Sequence, residues 1–494
     1  MAPVLYDRLV KDDEYVQRVR RHRPSVLIPQ IAAASARWWG ETWWTSPYRK
    51  FTPWGLAETA RVSLSYGNEH RQEEFSDRDL MGMLAAHQAL SDLMVQDVDP
   101  EPLFGFMLRL SGEQLVYQQS VFNDLARSAA LLKQTTPQKP LKCLVPGWEE
   151  ELLGCSLEDY VGTAMLLQVA AHSNAGRFDP DWLALSHMRQ VTDIIPAQTM
   201  TSVLRDHFVT DTAAFRAENA KRRMSKNPML RRFEYNPLRG RPFLSGFGPG
   251  YLAPCSHLIA PKASPLGLFY AGIARYGNPF AEDMGELFEQ YVGRQLKLLS
   301  NAEVHPEITY RDNRKSVDWI VVFDDLVLLV EVKSTRPTQQ LRLGTEDRLS
   351  ELSRMLKRAY EQVDTSASLI SSRNREFLAI PNDRPVLGLI VTMEPFHTAN
   401  APFQRQHQPQ TDTPTAVVSA QELEHLVAVT DTSANRILLD RAGDAQDSTY
   451  SLNAVLTRHR FRRNEILERG WAAYPWSGLE QAATARGAGE PAGG

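Results

Sequence analysis

Residues 316–333 read Ser-Val-Asp-Trp-Ile-Val-Val-Phe-Asp-Asp-Leu-Val-Leu-Leu-Val-Glu-Val-Lys. Two apolar, β-branched runs flank Asp324-Asp325, which is the pattern of a β-hairpin with a two-residue loop. Such a loop sets Phe323 opposite Leu326, and stepping outward along both strands brings Asp318 opposite Glu331. Cross-strand partners lie about 5 Å apart at Cβ, close enough for two carboxylates to share one hard cation. Lys333 follows Glu331 by two residues and projects from the same face. The other side chains of that face, Ile320, Val322, Val327 and Leu329, are apolar. Two buried carboxylates at the end of an apolar surface require either that one be neutral or that a cation join them.

Oxygen donors with no His or Cys nearby favour Mg²⁺ or Mn²⁺ over zinc. The backbone carbonyl of Val332 is a candidate further ligand. In this reading the ion polarises a phosphodiester, and Lys333 orients or deprotonates the attacking water and offsets charge on the transition state. A salt bridge on a strand pair accounts for the same three residues without any chemistry, so both readings stand at this point.

Working outward, Met284, Phe288, Tyr291, Gln295 and Leu298 mark one face of a helix before the hairpin. Strands are expected at 304–311, 316–323 and 326–333. A second helix follows, capped at Thr345 with Glu346 and Asp347 in its first turn, and its apolar stripe runs from Leu349 to Ile370. Val386–Met393 reads as a fourth strand. The order α-β-β-β-α-β predicts an α+β or α/β domain with a mixed sheet flanked by helices.

Asp318 and Glu331-Val332-Lys333, in this order of elements, resemble the PD-(D/E)XK nuclease superfamily, which includes many restriction and repair endonucleases. The resemblance covers residues 280–395; the proline that often precedes the superfamily's Asp is Val317 here. It implies a restriction-endonuclease-like αβββαβ core and a metal-dependent endonuclease, acting on DNA, with a role in bacterial defence or restriction. In relatives the first helix often supplies a Glu in a Gly-x-x-x-Glu pattern, which Gly285 and Glu289 match. Helical geometry puts Glu289 on the margin of the apolar face, beside Val292 and Leu296. Relatives also place a Gln or Lys on the second helix, and Gln362 fits that position best. A catalytically idle scaffold that binds nucleic acid or protein, and an RNA-cleaving effector, are the alternatives.

The remaining chain divides by composition. Residues 1–215 read as a mostly helical recognition or partner-binding domain, with helices opening at Ser76-Asp77 and Ser156-Leu157 and another over 121–132. Trp38, Trp39, Trp43, Trp44 and Trp54 form a cluster that reads first as packed core or seam. Residues 216–245 hold nine positive charges against two negative ones, so Arg222, Arg223, Lys226, Arg231 and Arg232 are candidate phosphate contacts, as are Arg314 and Lys315 in the turn before Asp318. The same block equally fits a solvated linker, and 216–277 as a whole is expected as a basic linker and docking segment. A nuclease-like domain is expected over 278–400, a small appendage over 401–477, and a disordered Ala/Gly-rich tail over 478–494.

Over 494 residues the hydrophobic share is 43%, the charged share 23% and the net charge −4. These are ordinary globular values, and any nucleic-acid surface must be a local patch. Three scattered cysteines fit neither a zinc site nor a disulfide framework. No apolar run suggests a secretory signal or membrane span, so a cytoplasmic protein without membrane contact is expected. Cleavage of both strands of a duplex would favour a homodimer.

Overall fold

A computed structural model describes residues 9–37, 51–91, 100–114, 120–334, 348–396, 398–405 and 408–478. The tryptophans at 38, 39, 43 and 44, the cap expected at 345–347 and the tail beyond 478 lie outside the described residues. The fold is mixed α+β, in two compact units. One gathers described residues of Met1–Leu125, Pro146–Leu268 and Ala472–Gly494, and the other those of Ala126–Val145 and Phe269–Trp471. Among the described residues no helix is long and apolar enough to cross a membrane.

The first unit is mostly helical. Its helix Asp77–Gln88 starts where Ser76 donates its N–H to Asp79 Oδ2 at 2.7 Å. The helix Leu157–Ser173 starts where Ser156 Oγ accepts the Asp159 N–H at 3.1 Å. Both match the capping signals in the sequence. Trp54 is buried. Within 216–277, expected as a basic linker and docking segment, Leu238, Leu244, Leu252 and Leu258 belong to the unit's core. Leu238 and Leu244 come from the basic block itself, where apolar residues turn inward between charges that charge density alone does not separate from them.

In the second unit the elements that carry the expected site follow one another. Helix α1 (Asn278–Leu296) is followed by strands β1 (Glu303–Pro306), β2 (Trp319–Val322) and β3 (Val327–Lys333). Helix α2 (Arg348–Ser371), strand β4 (Val386–Thr392) and strand β5 (Thr415–Ser419) come next. Among the described residues the sheet runs β5-β4-β3-β2-β1, antiparallel from β1 to β3 and parallel from β3 to β5.

Two boundaries differ from expectation. The strand expected over 304–311 stops at Pro306, whose missing N–H ends the ladder. Thr309–Tyr310 pairs with Arg314–Lys315 in a separate ribbon instead. Ala416–Val418, read as part of an appendage, belong to β5 and complete the sheet beside β4. The buried, unbroken apolar run of β4 needs a hydrogen-bonded neighbour on each side, and β5 supplies the second.

The hairpin register is the predicted one. Phe323 donates to the Leu326 carbonyl at 2.8 Å across Asp324-Asp325, and Trp319 pairs with Val330, Ile320 with Leu329 and Val322 with Val327. Helix α2 packs Val363 and Ile370 against the face that carries Val317, Ile320, Val327 and Leu329. Trp319 points to the opposite face, where its indole lies against Gly293 of α1 and donates to the Glu289 carbonyl at 3.1 Å. A Cβ at Gly293 would meet that ring at 2.1 Å, so glycine is what lets helix and sheet approach this closely.

Candidate metal centre

Hydrogen-bonded pairs alternate along an antiparallel ladder. Phe323 and Leu326 form one, so the next narrow pairs are Val321–Leu328 and Trp319–Val330. Asp318 and Glu331 lie one residue beyond the last ladder pair, Trp319–Val330, at what continued alternation would make a non-hydrogen-bonded position. The ladder opens there: the Val332 N–H donates to Asp318 Oδ2 at 2.7 Å, and the Val317 N–H donates to Ser366 Oγ of α2 at 3.1 Å. Val332 thus engages the site through its N–H, which fixes the Asp318 carboxylate against the strand.

Glu331 is 1% exposed. Its Oε1 accepts a short hydrogen bond from Lys333 Nζ, whereas Oε2 is buried without a hydrogen-bond partner. Burial, then the charge of Asp318, pushes the Glu331 carboxyl up to about 8, with Lys333 offsetting only part of that rise. Asp318 is raised by burial too, against the pull of the Val332 N–H and of Lys333. Glu289, on α1, is pushed up to about 7 by burial and then by Asp318, which ties it electrostatically to the pair. Three carboxyls raised together, one with an orphaned oxygen, form a site that lacks positive charge.

These residues fit a hard divalent cation. Asp318 and Glu331 supply oxygen donors on one face, and the orphaned Glu331 Oε2 is the observation that asks for one. Among the described residues no three His, Cys, Asp or Glu side chains gather tightly enough to form a full cage.

Gln362 lies on α2 facing the turn before Asp318. Its Nε2 is 3.5 Å from the Ser316 carbonyl, a weak contact, and its Oε1 is buried without a partner. Arg314 and Lys315 are exposed, and Lys315 Nζ lies 2.6 Å from Glu307, a carboxylate whose charge reaches both Asp318 and Glu289. Sequence spacing missed Glu307, although its place just after β1, before the Asp318 strand, was a usable signal. It also missed Lys139, whose charge acts on Glu289 and Asp318 from a segment with no sequence link to the hairpin.

The arginine block sits in the first unit. Arg222 is exposed, pairs with Glu218 at 2.7 Å and stacks over Tyr235. Arg223 and Lys226 are exposed, while Arg232 is half-buried, lies over Phe233 and makes a long contact to the His87 carbonyl. Arg231 does not face solvent. It is buried against Asp12 at 2.6 Å and against Glu58, which Arg61 also pairs at 2.7 Å. Although burial works to raise it, Glu58 is held below the usual carboxylate range by Arg61 and Arg231. Arg231 is therefore removed from the phosphate-contact set. Arg231→Ala would leave Glu58 and Asp12 facing a buried gap, so it should destabilise this unit by about 3 kcal/mol in denaturant unfolding. A loss below about 0.5 kcal/mol would mean that the network is dispensable.

The chain matches no protein-family model, no curated protein and no solved structure.

Proposed function

We propose that the chain is a Mg²⁺- or Mn²⁺-dependent nuclease that hydrolyses phosphodiester bonds, with DNA as its substrate class and RNA as the alternative. The observation that carries the proposal is that Asp318 and Glu331 lie one residue past the last ladder pair, Trp319–Val330, beside Lys333, with Glu331 Oε2 buried and unpartnered. The succession α1-β1-β2-β3-α2-β4 around a mixed sheet supports reading this unit as a restriction-endonuclease-like core.

Asp318 and Glu331 would hold the ion, which when bound supplies Lewis-acid polarisation of the phosphate and a more acidic water. Val332 orients Asp318 through its N–H. Glu289 adds a carboxyl, raised by burial and by the charge of Asp318 in the metal-free chain, that would be placed to accept a proton from a water of the site once a cation offsets that charge. Lys333 has 22% of its side chain exposed and reaches solvent from this face, so it is placed to orient a water and offset charge growing on phosphoryl oxygens. Gln362 offers a carbonyl oxygen free for a water or a substrate group.

The test is incubation of the full chain with labelled single- and double-stranded DNA and RNA, in Mg²⁺, in Mn²⁺ and with chelator. Cleavage that requires metal supports the reading, and the nucleic acid cut assigns the substrate. Glu289→Gln is expected to lower the rate by about 10- to 100-fold, as outer-sphere partners of metal sites do. Rates equal to wild type would remove Glu289 from the site.

One observation favours a second reading. Lys333 already pairs with Glu331, and a strand-to-strand ion pair of this kind suits a catalytically idle scaffold that binds nucleic acid or protein. Such a scaffold would cut nothing under any of these conditions.

A further inference from the structure

Residues 130–144 lie along α1 as a strap, held by a polar stripe of that helix. Asp283, itself buried, accepts the N–H groups of Lys142 at 2.9 Å, Cys143 at 2.6 Å and Leu144 at 2.9 Å. One turn further, buried Glu286 accepts those of Gln138 at 2.7 Å and Lys139 at 3.2 Å. Two turns beyond, Arg294 donates to the Ala130 carbonyl at 2.8 Å and to Thr135 Oγ1 at 2.7 Å. Asp283, Glu286 and Arg294 recur at helical spacing, and Pro137 and Pro140 restrict the backbone between them.

Burying two carboxylates to fix a surface loop is a strong constraint, and its result is a fixed position for one ammonium group. Lys139 Nζ lies 3.1 Å from Glu286 with 62% of its side chain exposed. Its charge reaches Glu289, one turn along α1, as well as Asp318 and Glu307. A polyanionic strand that approaches Asp318 meets a rim of carboxylates, which repels it. Lys333 is tied to Glu331 and mostly covered, and Lys315 is tied to Glu307. Lys139 is the most exposed of these three cations and is the one whose loop is strapped in place.

We propose that Lys139 is a nucleic-acid-binding residue that contacts a phosphate flanking the scissile one, on a strand held across the Asp318–Glu331 site. The proposal rests on the nuclease reading above. A lysine on an exposed, preset loop supplies a point charge to a phosphate without base recognition, so it sets affinity and register but not sequence preference. Lys142 provides an internal comparison. It lies on the same strap with 60% of its side chain exposed, but it pairs with Glu282, and the carboxylates acting on it are Glu282 and Asp283.

The experiment measures binding of the full chain to labelled DNA and RNA oligonucleotides in Ca²⁺ over a salt series, and cleavage in Mg²⁺, for wild type, Lys139→Ala, Lys139→Arg and Lys142→Ala. Loss of one phosphate contact should flatten the plot of log affinity against log salt by about 0.7 to 0.9 and raise KM with kcat nearly unchanged. Lys139→Arg should restore the slope, and Lys142→Ala should leave it as in wild type. The Ala variants keep every backbone N–H of the strap, and their thermal melting should confirm intact folding. If wild type cuts but Lys139→Ala keeps its slope and KM, or Lys142→Ala loses as much, this proposal falls and the nuclease reading stands. If wild type neither binds nor cuts any nucleic acid, both fall together.

Discussion

Lys333→Ala and Asp318→Asn are each expected to lower metal-dependent cleavage by about 10³-fold or more, with little change in nucleic-acid binding. Asp318 Oδ2 is held by the Val332 N–H, so in the proposed centre Oδ1 would be the donor toward a cation. An asparagine retains the shape but not the charge, so it should retain the fold and lose the ion. The Lys333 side chain makes no described hydrogen bond or ion pair beyond Glu331, so its truncation should not unfold the hairpin, whose register is set by the Asp324-Asp325 loop and the apolar faces. Single-turnover rates at saturating enzyme separate loss of chemistry from loss of binding. Because the two residues serve one centre, the double variant should fall little below either single variant. Additive losses would mean that the two act in separate places.

Glu331→Gln is expected to abolish cleavage to a similar degree while making the metal-free chain more stable at alkaline pH. The carboxyl of Glu331 sits at about 8 in the folded chain, against an ordinary value of 4.5. Between those values the folded chain keeps a proton that the unfolded chain releases, so stability present at low pH is lost as pH rises through 8. Glutamine has no proton to lose. The variant should therefore match wild type below pH 4.5 and exceed it by up to about 5 kcal/mol near pH 8.5, as read by denaturant unfolding with chelator present. Adding Mg²⁺ should reverse the order, since binding draws the proton off Glu331 and stabilises only the chain that can bind. A variant less stable than wild type at pH 8.5 would show that Glu331 is an ionised structural partner of Lys333, as the scaffold reading requires.

The hairpin was legible from its letters because a two-residue loop and strict alternation leave one register, and a slip of one residue would turn every apolar side chain to the wrong face. Glu289 was legible as a helix-margin position, although α1 proves buried on more than one side, where Asp283 and Glu286 hold the strap. Nothing near Lys139 in the sequence announces it, since its place depends on pairing between segments far apart in the chain. Arg231 shows the same limit in reverse. It looked like one more charge in a basic block, and only the tertiary fold brings Asp12 and Glu58 to it. β5 was missed because a three-residue apolar run, Ala416–Val418, after a long polar loop carries no mark of the strand it will join.

The central claim, that Asp318 and Glu331 together hold one divalent cation, is tested most directly by Mn²⁺ binding to the full chain, followed by electron paramagnetic resonance without nucleic acid. Wild type should remove about one Mn²⁺ per chain from solution, with Mg²⁺ in competition, and Asp318→Asn and Glu331→Gln should remove none. Equal binding by all three chains, or none by wild type, would contradict it.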